Sequence, residues 1–184
     1  MKKLVLYFMP VFVMLITGCG GPKATGVPGD KEINMPCSGA EFRSDKEFIR
    51  ATRFELSTDM SVAKTKALTT ARADLASEIS TAVGRTTDNY ASSYQSGESE
   101  EAKTKMNDMV RNVAKENITN SRIICEKVMQ TADGKYRCYI TLEISANEAL
   151  NGLKNKMMDD EKLRTDFEYE KYKKVFEDEM SKIN

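Results

Sequence analysis

The chain of 184 residues has no histidine and no tryptophan. Without an imidazole it carries no Ser-His-Asp or Cys-His nucleophile. It has no P-loop and no GxGxxG segment, so two common phosphate cradles are missing. Cys37, Cys125 and Cys138 lack the spacing of zinc ligands. Asp159-Asp160-Glu161 is acidic enough to suggest calcium, but no glycine turn or spaced acids follow. It reads better as a negative first turn of a last helix. Nothing singles out two carboxylates as a glycosidase pair. These absences predict a protein that is not an enzyme, with no catalytic residues, no metal and no cofactor.

A long apolar run is also lacking. Leu4 to Ile16 is thirteen uncharged residues, short of the ~20 that span a hydrocarbon core. Lys2-Lys3 precede it, Pro10 interrupts it, and the small residues Thr17 and Gly18 follow. That order is a secretory signal. Ile16-Thr17-Gly18-Cys19 resembles the bacterial lipobox, which implies lipid on the Cys19 thiol and cleavage before it. Residues 1–18 would be the signal peptide, and Cys19 the anchored first residue. Several acyl chains anchor stably where one does not. Cleavage leaves 26 Lys+Arg against 28 Asp+Glu. Such a balance offers no basic field for nucleic acid.

Residues 20–36 hold four of the ten glycines and three of the four prolines, and none of the prolines lies beyond Pro36. With Cys19 this reads as a tether over 19–36, standing a folded domain ~20 Å from its lipid. The domain is expected over 37–150, with a charged C-terminal helix over 151–184.

"FIRATRFEL" from Phe48 to Leu56 reads as a strand. Ser57-Thr58-Asp59 offers N-cap oxygens. In the helix that follows, Met60, Ala67, Leu68, Ala71, Leu75, Ile79 and Ala82 form an apolar stripe. Tyr90 and Tyr94 suggest that it runs on through Gly84. A turn is expected around Gly97, then a second amphipathic helix with Ala102, Met106, Met109, Val110 and Val113 on one face.

Asp133-Gly134 is a two-residue turn signal between alternating runs. That turn sets Cys125 opposite Leu142 and Met129 opposite Cys138. One face then carries Ile123, Cys125, Lys127, Met129, Cys138, Ile140, Leu142 and Ile144, the expected core, with Lys127 as its misfit. On this register Cys125 and Cys138 share a face roughly 13 Å apart, beyond disulfide reach. With Cys19 lipidated, a disulfide would join Cys37 to Cys125 or to Cys138. Alternatively Cys125 and Cys138 are buried thiols acting as small hydrophobes.

Ser145 and Glu148 suggest a capping box. Further on, Tyr169, Tyr172, Phe176, Met180 and Ile183 share a narrow stripe, with Leu163 and Phe167 on the opposite side. The stripe is either an interaction seam with another copy or a face that packs back on its own domain.

The order of strand, helices and hairpin predicts an α+β fold, a small antiparallel sheet packed against a helical hairpin with C-terminal helices. Lipobox, tether, strand, Ser57-x-Asp59 cap and a helix with Ala63, Ala67, Ala71 and Arg72 together resemble the Lpp-twenty family of small bacterial outer-membrane lipoproteins. Related domains occur in flagellar outer-membrane assembly lipoproteins. The resemblance covers roughly residues 45–150 and leaves out the C-terminal helix. Where family strands often carry glycines before the cap, this chain has Arg53-Phe54-Glu55-Leu56. The resemblance implies no enzymatic activity, and Asn117-Ile118-Thr119, a glycan sequon, is then uninformative. The expected protein is lipid-anchored in the outer membrane through Cys19, at the periplasmic face, and contacts another envelope protein or itself. An alternative is a carrier of a small apolar ligand or lipid, using Met106, Met109 and Met129.

Overall fold

The computed structural model describes residues 33–94, 100–160 and 168–183. The signal segment, Cys19, the tether up to residue 32, the turn at Gly97, Glu161, Leu163 and Phe167 lie outside them. Residues 34–184 form one compact unit.

The fold is α+β. Strand β1 (Phe48–Ser57) leads into helix α1 (Met60–Tyr94), followed by α2 (Glu100–Ile118), β2 (Arg122–Gln130), β3 (Tyr136–Ser145), α3 (Ala146–Asp159) and α4 (Tyr169–Ser181). The strands make one antiparallel sheet in the order β1-β3-β2. β3 is therefore central. It is buried on both faces, from Cys138 to Ile144.

The start of α1 is fixed as its sequence implies. The Asp59 carboxylate accepts the Val62 N–H at 2.9 Å, and the Ser57 hydroxyl accepts the Asp59 N–H at 3.2 Å. Such bonds satisfy helix donors that have no partner within the helix. Ala63, Ala67, Ala71, Leu75 and Ile79 are fully buried, and the helix continues through Gly84 to Tyr94. Alanines let α1 lie close on Ile49, Ala51, Cys138, Ile140, Leu142 and Ile144, the inner face of β1 and β3. Met60, in the first turn, is exposed rather than part of the stripe.

Beyond Ala82 the same helix face meets other helices. Val83 and Tyr90 share a core with Met106, Val110 and Val113 of α2 and Tyr172, Phe176 and Met180 of α4. α3 closes on α2 at Gly152, where a Cβ would stand 3.2 Å from the Asn117 amide and 3.4 Å from Val113. Asn117 is buried there, so the sequon's asparagine is a packing residue. Ser145 does occupy the N-cap of α3, yet its hydroxyl makes no cap bond. The Ala146 N–H is taken instead by the Glu47 carbonyl at 2.8 Å. Asp159 ends α3, and Asp160 is its C-cap, ion-paired with Lys105 at 3.0 Å. Asp159 and Asp160 thus close α3, and Glu161 lies outside the described residues.

The hairpin register differs from expectation by one residue. Cys125 stands opposite Thr141, Val128 opposite Cys138 and Met129 opposite Arg137. The loop is Ala132-Asp133-Gly134, not a two-residue turn. The Gly134 N–H bonds to the Thr131 carbonyl at 2.9 Å, and the Thr131 N–H to the Lys135 carbonyl at 2.8 Å. Gly134 has φ +79°, the left-handed conformation that follows the turn in three-residue hairpin loops. Because side chains alternate, one extra loop residue turns β2 over from Cys125 to Gln130. Cys125, Lys127 and Met129 therefore lie on the face away from α1. Glu126 and Val128 lie toward it, and Glu126 pairs with Lys64 of α1 at 2.7 Å. Lys127 needs no snorkelling, since it stands on the solvent side of an edge strand. A bulge between Ile123 and Cys125 shifts the register again at the start of β2.

Candidate functional site: the outer face of the sheet

The face of the sheet away from α1 is arranged in rows across β1, β3 and β2. They are Arg50–Glu143–Arg122, Thr52–Thr141–Cys125, Phe54–Tyr139–Lys127 and Leu56–Arg137–Met129. The first two rows are covered by the chain that enters β1; in the last two the β1 and β2 side chains are exposed on either side of a buried Tyr139.

The covered end is held by charge. The side chain of Glu143 is 4% exposed. Its carboxylate accepts from Arg50 Nε at 2.5 Å and from Arg122 Nη2 at 2.6 Å. Arg50 also donates to Asp45 at 2.6 Å and to the Arg43 carbonyl at 2.6 Å. Both guanidiniums lie over the Phe48 ring, at 5.0 and 5.6 Å from its centroid, a cation–π arrangement. Burial raises the Asp45 carboxyl, but the Arg50 hydrogen bond and the N–H groups of Glu47 and Phe48 outweigh it, so Asp45 titrates below its ordinary value. The same two acids hold Arg50 above its own, against the opposing effect of burial. Next to this cluster the Thr52 and Thr141 hydroxyls meet at 2.8 Å.

Sulfur completes the cover. Of the two partners open to Cys37, the structure pairs it with Cys125, across 88 residues of sequence. Cys37 is buried and has φ +58°, a left-handed conformation uncommon outside glycine. Cys138 is a free thiol on the inner face, buried against α1. Desolvation, and then the nearby Glu126 carboxylate, push that thiol up, so it lacks the thiolate character of a reactive cysteine.

At the open end Phe54, Leu56 and Met129 are exposed. Tyr139 packs on Phe54 with ring centroids 5.5 Å apart, and the Arg137 guanidinium lies 5.8 Å from the Phe54 centroid. Arg137 and Lys127 form no ion pair among the described residues, and Arg137 Nε is buried without a hydrogen-bond partner there. A groove of about 370 Å³ runs beside this end, lined by Met35, Pro36, Thr52, Phe54, Thr70 and Tyr139 among others. It follows the outer edge of β1. There Arg50 N–H and C=O bond to the Ser44 hydroxyl, off the sheet. By alternation, the backbone groups of Thr52, Phe54 and Leu56 point the same way. They have no backbone partner on that side among the described residues.

The C-terminal stripe lies elsewhere. Tyr172, Phe176 and Met180 are buried within the core, and Tyr169 and Ile183 pack against it. The Tyr172 hydroxyl meets Thr87 at 3.1 Å and the Val83 carbonyl at 3.3 Å. Desolvation drives its phenol far upward. The Tyr90 hydroxyl accepts the Glu168 N–H at 2.9 Å. The stripe is thus a face that packs on its own domain, and it is corrected as an interaction seam. The methionines do not converge either. Met106 is in the core and Met109 borders it, while Met129 is exposed on the opposite side of the sheet. Among the described residues the three therefore face no common space.

Sequence reasoning missed Arg50, Glu143, Arg122, Asp45 and Phe48. The alternation of Phe48, Arg50 and Glu143 with Ile49, Ala51, Leu142 and Ile144 was the available signal, marking one common face, while Asp45, before β1, carried none. No family model, characterised protein or solved structure matches the chain.

Proposed function

We propose that this chain is a lipid-anchored envelope protein, held at the outer membrane through Cys19, that acts without catalysis by binding another protein. The observation that carries the reading is the Cys37–Cys125 disulfide at the head of the folded unit. Disulfides persist in exported compartments and are rare in reducing ones, so the bridge agrees with the signal and lipobox of residues 1–19. The binding element is the outer edge of β1 from Thr52 to Leu56. Unpaired N–H and C=O groups there are a template for an extended segment of a partner. The adjacent groove would take one of that segment's side chains.

A photo-crosslinking residue at Thr52 in living cells tests this. A single heavier adduct with another envelope protein is expected, and it should disappear in Phe54→Pro. That proline removes an N–H directed off the sheet and leaves the ladder to β3 in place. A chain that crosslinks equally with or without Phe54→Pro overturns the edge assignment. A Cys19→Ala protein that still takes up labelled fatty acid overturns the anchor.

A further inference from the structure

We infer that the open end of the outer sheet face rests on an anionic phospholipid surface, with Phe54, Leu56 and Met129 entering the headgroup layer and Lys127 and Arg137 meeting lipid phosphates. The inference rests on the anchor reading above and adds which face of the domain the anchor presents to the bilayer.

Composition of the patch is the first observation. Phe54 and Met129 are each 50% exposed and Leu56 is 38% exposed. They occupy two adjacent rows of one sheet face, so they form a patch rather than scattered exposures. The remaining members of those rows are Tyr139, Lys127 and Arg137, with no carboxylate among them. Neither cation is drawn into an ion pair among the described residues, whereas Lys64 pairs with Glu126, Lys156 with Glu116 and Lys135 with Asp133. Apolar side chains flanked by unpaired Lys and Arg are the composition of surfaces that lie in a membrane interface. Tyr139 is buried beneath Phe54 and braces the patch from inside.

Position is the second observation. Met35 lines the groove beside Phe54 and lies sixteen residues after Cys19. A Gly/Pro stretch of that length spans ~20 Å. An anchor at Cys19 therefore holds this end of the molecule near the bilayer. The contact itself is weak, with ~1 kcal/mol for each cation close to an anionic surface. Anchoring converts it to an intramolecular event at high effective concentration. A sheet lying on its open face would leave the β1 edge pointing sideways, accessible to a partner in the same leaflet.

The absence of tryptophan supplies a clean reporter. Phe54→Trp, and separately Met158→Trp on α3 as a control, are prepared in the full chain and reconstituted into vesicles of zwitterionic and anionic phospholipid. Uptake of labelled palmitate is measured alongside, so that failure of the anchor is seen by itself. With brominated lipid, the indole of Phe54→Trp should be quenched about twofold more than that of Met158→Trp. Its emission should shift to the blue. Lys127→Glu should abolish the difference, and Leu56→Trp should reproduce it should Phe54→Trp disturb the fold. Equal quenching at the two positions overturns the inference. So does a difference that is undiminished in wholly zwitterionic vesicles. Protection of the Phe54→Trp indole only on adding a protein extract would assign the patch to a protein instead. Where palmitate is not incorporated, the same vesicles are mixed with the unlipidated chain, and quenching confined to Phe54→Trp still supports the face.

Discussion

Glu143 sits between two guanidiniums on the covered end of the outer sheet face, and its neighbours contribute unequally. Arg50 is nearly buried, whereas the Arg122 side chain is 67% exposed. Removing the carboxylate leaves Arg50 desolvated beside Asp45 alone. Glu143→Ala should therefore cost about 3–5 kcal/mol in urea unfolding, while Arg122→Ala, at an exposed partner, should cost under about 1 kcal/mol. Equal losses would show that the buried pair has no special weight. Acid acts at the same place. Asp45 has a folded-state value below its ordinary one, so its contribution is fully present above about pH 4 and is lost as pH falls below that. Asp45→Asn should flatten the fall in stability on the acid side and leave the neutral range with a constant offset. None of this cluster was readable as a cluster. Alternation placed Arg137, Tyr139, Thr141 and Glu143 on the polar face correctly. Periodicity cannot say that a segment arriving from outside the sheet will cover half of that face and bury Glu143.

At the scale of elements, helix α1 was the most legible part, because a stripe repeated over six turns constrains its own phase. The hairpin was the least legible, for an identifiable reason. Asp-Gly is compatible with a two-residue loop and with a three-residue loop that ends in left-handed glycine, and the two differ by one residue of register. On β3 both alternatives bury the same side chains. On β2 from Cys125 onward they bury opposite ones, and its polar and apolar residues do not separate cleanly enough to choose. Gly134→Ala probes that loop. No atom stands within 4 Å of the added methyl, so its cost is purely conformational, about 1 kcal/mol from φ +79°. An unchanged midpoint of thermal unfolding would mean that the loop adopts another turn. The flipped strand also decides the sulfur chemistry, since it turns Cys125 to the face where Cys37 lies. By chain entropy alone, a bridge closing 88 residues constrains the unfolded state by about 4–5 kcal/mol. Cys37→Ala with Cys125→Ala should lower stability by about 2–4 kcal/mol and expose the segment before β1 to protease. Reductant should do the same to the native chain and nothing further to the double variant.

For the molecule as a whole, the charged C-terminal helix changes meaning. Its stripe has the spacing of a dimer seam, and spacing alone does not distinguish a partner in another chain from one in the same chain. The deciding feature lies far away in sequence. Helix α1 extends well past the sheet, and its second half, with Val83, Thr87 and Tyr90, needs cover that the strands do not reach. Tyr172, Phe176 and Met180 supply it, with the Tyr90 and Tyr172 rings edge to face at 5.4 Å. Asn89 donates to Glu179 at 2.9 Å on the border of the same contact. Phe176→Asp places a charge in a fully packed site, so it should destabilise the monomer by about 3–5 kcal/mol and promote association of partly open chains. A seam between copies predicts the reverse, a stable monomer that no longer associates. Sedimentation and urea unfolding of the same preparation separate the two. Tyr172→Phe sharpens the choice: it keeps the ring and removes only the hydroxyl bonded to Thr87 and Val83. It should cost about 1 kcal/mol without altering sedimentation, because that hydroxyl serves the fold of a single chain.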